Sequence, residues 1–387
     1  MSLSVFRDFL YFGERQRFSC QDLYNRIITS PNIQHALHIP SYSHIPHANE
    51  QHNEIYIEDH NSMTLRSDPY FPLLLSRLKD ERVPINAMDI QGLNWFNFPN
   101  PSAFRSALIS FPHICVLCLG SITCSRNDMR CLVASLPKLI RLNLKGCKLQ
   151  EWDGTVAATI PRGPTLESFS IEVVDGDYDA WDLFTSPESP ASLKALKRIM
   201  IEGDGARVVN DRTIVDRIQA LLDLPEFTLE DFDIAYINLD EGLQPLHIED
   251  VQEISITITL SDDFDQMNRC VQWWTTTFLA LPSQNMLSFI TVEITVDQHR
   301  VQGGSIPPCD THFWKALDKA LCRPEINLDG LHFWVHAKPS PNYIPTYDYR
   351  GVMHWLYRYC LPRCAAKYES NFELHDEYDE LVDLLHI

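Results

Sequence analysis

One short spacing recurs along this 387-residue chain: apolar, two variable, apolar, one variable, apolar. Its clearest copies are Ile114-x-x-Leu117-x-Leu119 and Leu139-x-x-Leu142-x-Leu144. Each begins two residues after a proline, Pro112 and Pro137, so proline and triplet both repeat after 25 residues. Further copies are Ile85/Met88/Ile90, Leu166/Phe169/Ile171, Leu196/Ile199/Ile201 and Leu229/Phe232/Ile234. Val251/Ile254/Ile256, Leu287/Ile290/Val292 and Leu328/Leu331/Phe333 complete a set of nine. Successive copies start 29, 25, 27, 30, 33, 22, 36 and 41 residues apart. Weaker echoes occur at Leu37 and Ile39 after Pro31, and at Phe372 and Leu374. Two copies share a longer stretch, Pro225-Glu226-Phe227-Thr228-Leu229 and Pro324-Glu325-Ile326-Asn327-Leu328.

The spacing has a physical meaning. Residues two apart point to one face of a strand. The residue three earlier enters the same core from the preceding turn. One such unit cannot bury its apolar face alone, but adjoining copies make a continuous core. Each fully buried Leu or Ile contributes roughly 1.5–3 kcal/mol. Between the triplets, amphipathic helical spacing appears at Met129, Leu132, Val133 and Leu136 behind Asp128 as cap. It recurs at Ile214, Ile218, Leu221 and Leu222 behind Asp211, and at Met267, Val271, Trp274 and Phe278. A fourth case is Phe313, Leu317, Ala320 and Leu321 behind Asp310 and Thr311. Strands alternating with helices predict an α/β fold with a parallel sheet. The expected architecture is a solenoid, with strands on a concave face and helices on a convex one.

Residues 1–30 form an N-terminal helical segment, with Ser19 capping Leu23, Ile27 and Ile28. Residues 31–375 are the repeat body, and residues 376–387 an acidic C-terminal end. Residues 40–68, polar and histidine-rich, are expected to be a loop, as is the stretch from Pro339 to Tyr349. In the acidic stretch from Glu373 to Asp383, the interleaved Tyr378, Leu381 and Leu384 suggest a short amphipathic helix.

The stretch Leu139-Ile-Arg-Leu142-Asn-Leu144-Lys-Gly-Cys147-Lys-Leu149 fits the full pattern L-x-x-L-x-L-x-x-N/C-x-L, so the chain resembles a leucine-rich-repeat protein. In that pattern the cysteine closes the turn after the strand. Together with Phe18-Ser-Cys-Gln-Asp-Leu23-Tyr24 and Ser30-Pro31 ahead of the array, the chain resembles the fungal F-box/leucine-rich-repeat family over residues 15–360. The resemblance implies the substrate-binding part of a Skp–cullin–F-box ubiquitin ligase receptor. The family's opening L-P-x-E-I/L segment is not found, and residues 1–30 look like the region downstream of an F-box. The resemblance therefore implies an F-box encoded upstream, with adaptor docking through it, or a stand-alone scaffold or decoy that has lost it.

Charge narrows the partner. The chain carries 32 basic and 52 acidic side chains, a net charge of −20. Phosphate backbones and anionic membranes both require clustered Lys and Arg, so neither nucleic acid nor membrane is the expected partner. Only 14 glycines occur, about half the usual ~7 %. That lowers the expectation of a glycine-rich nucleotide loop, and no cofactor is expected. Eleven scattered cysteines, no secretory leader and no apolar span point to the cytoplasm or nucleus. No G-x-S-x-G, H-E-x-x-H or Walker sequence occurs, so a non-catalytic role is expected. A hydrolase built from distant loops is the remaining alternative.

The variable positions beside the triplet residues are expected to point outward and meet a protein partner. In the earliest copies they are Ala87, Val116 and Cys118 among others. The candidate binding residues are Arg141, Asn143, Lys145, Arg198, Glu202, Asp231, Asp233, Glu253, Glu293, His332 and Trp334. Arg and Trp are frequent interface anchors. A small basic centre is followed by acidic later copies, which suits a partner with a basic patch. Other motifs read as ordinary structure. Cys115-x-x-Cys118 lies in an apolar strand, whereas zinc sites draw their pairs from turns. His35, His38, His44, His47, His52 and His60 crowd a polar stretch and read as solvated surface. Asp175-Gly-Asp177-Tyr-Asp179 begins like a calcium loop but has Ala180 where glycine is required and Ser186 where Glu is. No metal site is expected.

Overall fold

The computed structural model describes residues 11–12, 20–29, 41–42, 51–52, 54–58, 68–80, 85–97, 106–108, 111, 113–150, 163–173, 178–203, 208–209, 212–235, 237–239, 242–260, 264–296, 311–337, 355–368 and 372–375. Two compact units divide the chain, Met1–Ala195 and Leu196–Ile387. Both are α/β, and every side chain of the nine triplets is at most 5 % exposed.

The first unit contains β1 (Tyr11–Phe12), α1 (Cys20–Thr29), β2 (Ser41–Tyr42), β3 (Gln51–His52), β4 (Glu54–Glu58) and α2 (Tyr70–Asp80). There follow β5 (Ala87–Gln91), β6 (Val116–Gly120), β7 (Thr123–Ser125), α3 (Arg126–Ala134) and β8 (Arg141–Lys145). Then come β9 (Lys148–Gln150), β10 (Ser168–Val173) and α4 (Asp179–Thr185). Its main sheet runs β1-β4-β5-β6-β8-β10 and is parallel throughout. Leu117 lies opposite Leu142, and Leu142 opposite Phe169, so the triplets stack from strand to strand. β7 and β9 form a second, smaller parallel pair.

Local chemistry explains the turns. After β8 the chain turns at Gly146, whose φ of +59° is left-handed backbone that glycine adopts without strain. The next residue, Cys147, is buried and its thiol donates to the Leu119 carbonyl at 3.3 Å. The cysteine thus ties one repeat to the one before it. Helix α3 begins at Ser125, not at Asp128. The Ser125 hydroxyl accepts from the Asp128 amide at 3.0 Å and donates to the Asp128 carboxylate at 2.7 Å. The serine hydroxyl satisfies one unpaired amide of the first turn, and the acid three residues on holds that hydroxyl in place.

Residues 54–58 also depart from the expected loop. They form β4, with Ile55 and Ile57 fully buried. The alternation Ile-Tyr-Ile between glutamates is a strand pattern hidden in a polar neighbourhood. β2 and β3 pair as a short antiparallel hairpin, again within the expected loop. Leu37, Ile39 and the 339–349 loop lie outside the described residues, as do Asp211 and Asp310, the expected caps.

The second unit contains β11 (Arg198–Gly203), β12 (Val208–Val209), α5 (Arg212–Leu222), β13 (Leu229–Ala235), β14 (Asn238–Leu239), β15 (Val251–Leu260) and α6 (Phe264–Ala280). It continues with β16 (Phe289–Val296), α7 (Thr311–Leu321), β17 (Gly330–Ala337), a π-helical turn at Leu356–Cys360, α8 (Pro362–Tyr368) and β18 (Phe372–His375). The sheet order is β11-β13-β15-β16-β17-β18, again parallel. Phe372 and Leu374 pair with Leu331 and Phe333, so that weak echo is a true strand. Glu373 belongs to this strand and not to a helix. Residues 376–387 lie outside the described residues.

The helices fill the core. Met267, Val271, Trp274 and Phe278 of α6 are buried, joined by Trp273. In α7 the large buried ring is Trp314, whereas Phe313 is only half-buried. Trp314 precedes Leu317 and Leu321 by three and seven, which is the helical stripe. Among the described residues no helix is long and apolar enough to cross a membrane. Neither sheet closes into a barrel.

Candidate partner-binding face

Parallel pairing without slippage puts the variable residues into rows across each sheet. In the second unit, one row is Arg198, Asp231, Glu253, Phe289 and Gly330. The next is Met200, Asp233, Ser255, Thr291 and His332. In a third, Glu202 faces Ala235, and Thr257 faces Glu293, which faces Trp334. In the first unit, Arg141 lies between Val116 and Ser168, and Asn143 between Cys118 and Ser170, while Lys145 faces Gly120. All eleven candidates therefore stand on strands and are ordered by register. Arg141, Asn143 and Lys145 belong to one unit and the remaining eight to the other.

The expected outward face is not uniformly outward. Ala87, Val116 and Cys118 are buried and form a small apolar cluster with Cys115. Small apolar side chains at matched positions of adjacent strands pack side by side and exclude water. Lys145, Arg198 and Glu253 are exposed, while Arg141, Asn143, Glu202, Asp231, Asp233, Glu293, His332 and Trp334 are half-buried.

Electrostatically the second unit's face is strained by like charge. Glu293, Asp231 and Glu202 are each close enough to act on Asp233. Desolvation pushes the Asp233 carboxyl from 3.8 up to about 7, and the charges of Glu293, Asp231 and Glu202 add to the rise. Glu253 is also raised, chiefly by desolvation and by Asp231, with Arg198 opposing. Thr257, itself buried, donates its hydroxyl to Glu293 at 3.2 Å. At the aromatic end the Phe289 ring meets His332 edge-on, with centroids 4.5 Å apart. Gly330 makes this possible: a β-carbon there would run into the Phe289 ring.

The other motifs resolve plainly. The Cys115 thiol donates to the Asn86 carbonyl at 3.2 Å, and Cys118 is core. Asp179 opens α4 and pairs with Arg126 at 2.9 Å, while Asp175 and Asp177 lie outside the described residues. Of the six clustered histidines, only His52 falls on a described strand. An open cleft of about 470 Å³ is lined by Arg126, Arg130, Asp182 and Glu188, with Arg130 paired to Glu188 at 3.2 Å.

One cluster escaped sequence reasoning. Asp318, Cys322 and Cys364 bring donor atoms within 4.8 Å of one another, the one such group of possible metal donors among the described residues. The Asp318 carboxylate already accepts from the Arg363 and Cys364 amides, at 3.1 and 2.8 Å. It caps the first turn of α8 from another helix. The two cysteines are 42 residues apart, so no local motif announces them.

The sequence matches no protein-family model and no curated protein.

Proposed function

We propose that this chain is a non-catalytic recognition scaffold of the leucine-rich-repeat type, working in the cytoplasm or nucleus. Its sheet face binds a protein partner that presents a basic patch. The observation that carries the reading is the group of carboxylates on neighbouring rows around Asp233. Four acids converge on a half-buried strand surface, and one of them holds its proton up to about pH 7. A face of like charge is relieved by a cationic partner, whose approach favours the ionised form. Two features support the repeat architecture: the stacked triplets, and the Cys147 thiol bonded back to the preceding strand. A curved solenoid would gather the rows into one binding surface. The nearest specific role is the substrate-binding region of an F-box-type ubiquitin ligase receptor, which would position a target and transfer no ubiquitin itself.

The test has two arms. A lysine-rich peptide is titrated onto the full chain at pH 6 and pH 8. Binding should strengthen several-fold at the higher pH, because the peptide then meets an already ionised Asp233. Asp233→Asn should flatten that dependence. A pH-independent affinity in the parent chain would sink the reading. In cells, affinity purification is run with and without proteasome inhibition, for the parent chain and for the Asp231→Asn/Asp233→Asn/Glu293→Gln variant. Partners lost in the variant, together with cullin and its adaptor, support the ligase role. The same partners without cullin support the stand-alone scaffold.

A further inference from the structure

Cys322 and Cys364 are not part of the sheet face, and their setting suggests a different chemistry. Cys322 closes the last turn after α7, is half-buried, and is reachable from solvent. Cys364 lies in the first turn of α8 and is fully buried. Their sulfurs are 3.7 Å apart and share a hydrogen bond. Several bonds hold the two helices in this relation. Asp318 takes two α8 amides, the Tyr368 hydroxyl donates to the Leu321 carbonyl at 2.8 Å, and Lys367 donates to the Ile326 carbonyl at 2.6 Å. With Asp318 engaged in capping, the chemistry left at this cluster belongs to the two sulfurs.

We propose that Cys322 and Cys364 are an oxidation site, in which Cys322 reacts with a hydroperoxide and Cys364 resolves the product as a disulfide. The asymmetry of the pair fits those roles. Cys322 is the accessible sulfur, and its thiol is shifted down, first by the hydrogen bond with Cys364 and then by the nearby charges of Lys367 and Arg363, against an opposing rise from burial and Asp318. Cys364 is held protonated by that same hydrogen bond and by burial.

The steps balance. The Cys322 thiolate attacks one oxygen of hydrogen peroxide, the O–O bond breaks, and the departing hydroxide takes a proton to become water. Cys322 is then a sulfenic acid, oxidised by two electrons. The Cys364 sulfur attacks the Cys322 sulfur, the S–O bond breaks, and hydroxide leaves with the Cys364 proton as a second water. One peroxide is reduced, two thiols become one disulfide, and α7 is tied covalently to α8.

The full chain, reduced and freed of metal, is treated with graded hydrogen peroxide and mapped by mass spectrometry without reduction. A Cys322–Cys364 linked peptide should appear at the lowest doses and vanish with dithiothreitol. Cys124, buried with its thiol pushed up by desolvation, is the internal control and should stay reduced. Cys322→Ser should abolish the linked peptide and leave Cys364 unmodified. Cys364→Ser should leave Cys322 trapped by dimedone as sulfenic acid. Any of three results would overturn the proposal: Cys322 no more reactive than Cys124, Cys322 advancing to sulfinic acid with Cys364 still present and unlinked, or one zinc per chain bound on adding zinc back before the peroxide and protecting both thiols.

Discussion

The two units use one repeat spacing to build different sheets. In the first, β5, β6 and β8 are five residues each, and the copies start 25 to 29 residues apart. In the second, β15, β16 and β17 run ten, eight and eight residues, and the last copies start 36 and 41 apart. The longer spacing is filled by longer elements, including the 17-residue α6. The second faces differ too. The first unit's carries an apolar cluster of Ala87, Val116 and Cys118, while the second's carries carboxylates at the matching strand positions. The triplet face is under one constraint, burial, and hardly varies. The opposite face is free to change its chemistry without loss of the core.

The largest expected effect tests the shared face. Leu142→Asp, at a side chain 2 % exposed, places an unpaired charge in the core and should cost more than about 4 kcal/mol. Ile254→Asp, 1 % exposed, should do the same to the second unit. Thermal melting with limited proteolysis reads which unit opens. An unchanged melt for either variant would mean its triplet is out of register.

Glycines give the next contrast. Gly330→Ala would drive a methyl into the Phe289 ring, which already leans on His332, and should cost about 1–3 kcal/mol. Gly120→Ala meets only the amide end of Gln91, which can swing aside, and should cost under about 1 kcal/mol. Denaturant midpoints of the two variants decide it, and equal losses would refute the difference drawn between a ring and a flexible chain.

Much of this was legible in the sequence, for a physical reason. All nine triplets are buried, and the last two residues of each lie on a strand, because burial repeats with the backbone's own period. Even the weak copy at Phe372 and Leu374 was a strand. Ile55 and Ile57 were missed because a two-residue alternation is too short to stand out among histidines and acids. The α3 cap was misplaced by three residues because Ser125 and Asp128 are both cap formers, and only geometry shows which lies outside the helix. The candidate residues were placed on strands correctly, but their exposure was not legible. Whether Val116 or Lys145 meets water depends on the side chains of the adjacent strands. The Cys322–Cys364 pair left no trace at all, since it is made by two helices meeting across 42 residues.

Asp233 gives the third effect, with a definite direction in pH. Its folded value of about 7 lies above the unfolded 3.8, so the native state holds a proton that the unfolded chain has released. The associated stability is present below about pH 4 and is lost as pH rises through 7. Asp233→Asn keeps the shape and removes the charge, so at pH 8 it should stabilise by ~1–2 kcal/mol, with little effect near pH 4. Chemical denaturation at the two pH values reads it, and a destabilised variant at pH 8 would mean that Asp233 has a cationic partner instead of like neighbours.

The smallest effect should have the opposite sign. In the first unit, Asp179 pairs with Arg126 at 2.9 Å, with both side chains more than a third exposed. Removing that carboxylate by Asp179→Asn leaves a lone guanidinium in water, so the loss should be under about 0.5 kcal/mol and should shrink further in salt. Neutralising a carboxylate is thus mildly destabilising where it faces a cation and stabilising where it faces its own kind. Denaturation of Asp179→Asn and Asp233→Asn side by side, at pH 8 and at low and high salt, exposes the contrast. Salt should narrow both differences toward the parent from opposite sides, because screening weakens attraction and repulsion alike. If both substitutions shift stability the same way, the two units do not differ in how their surface charge is balanced.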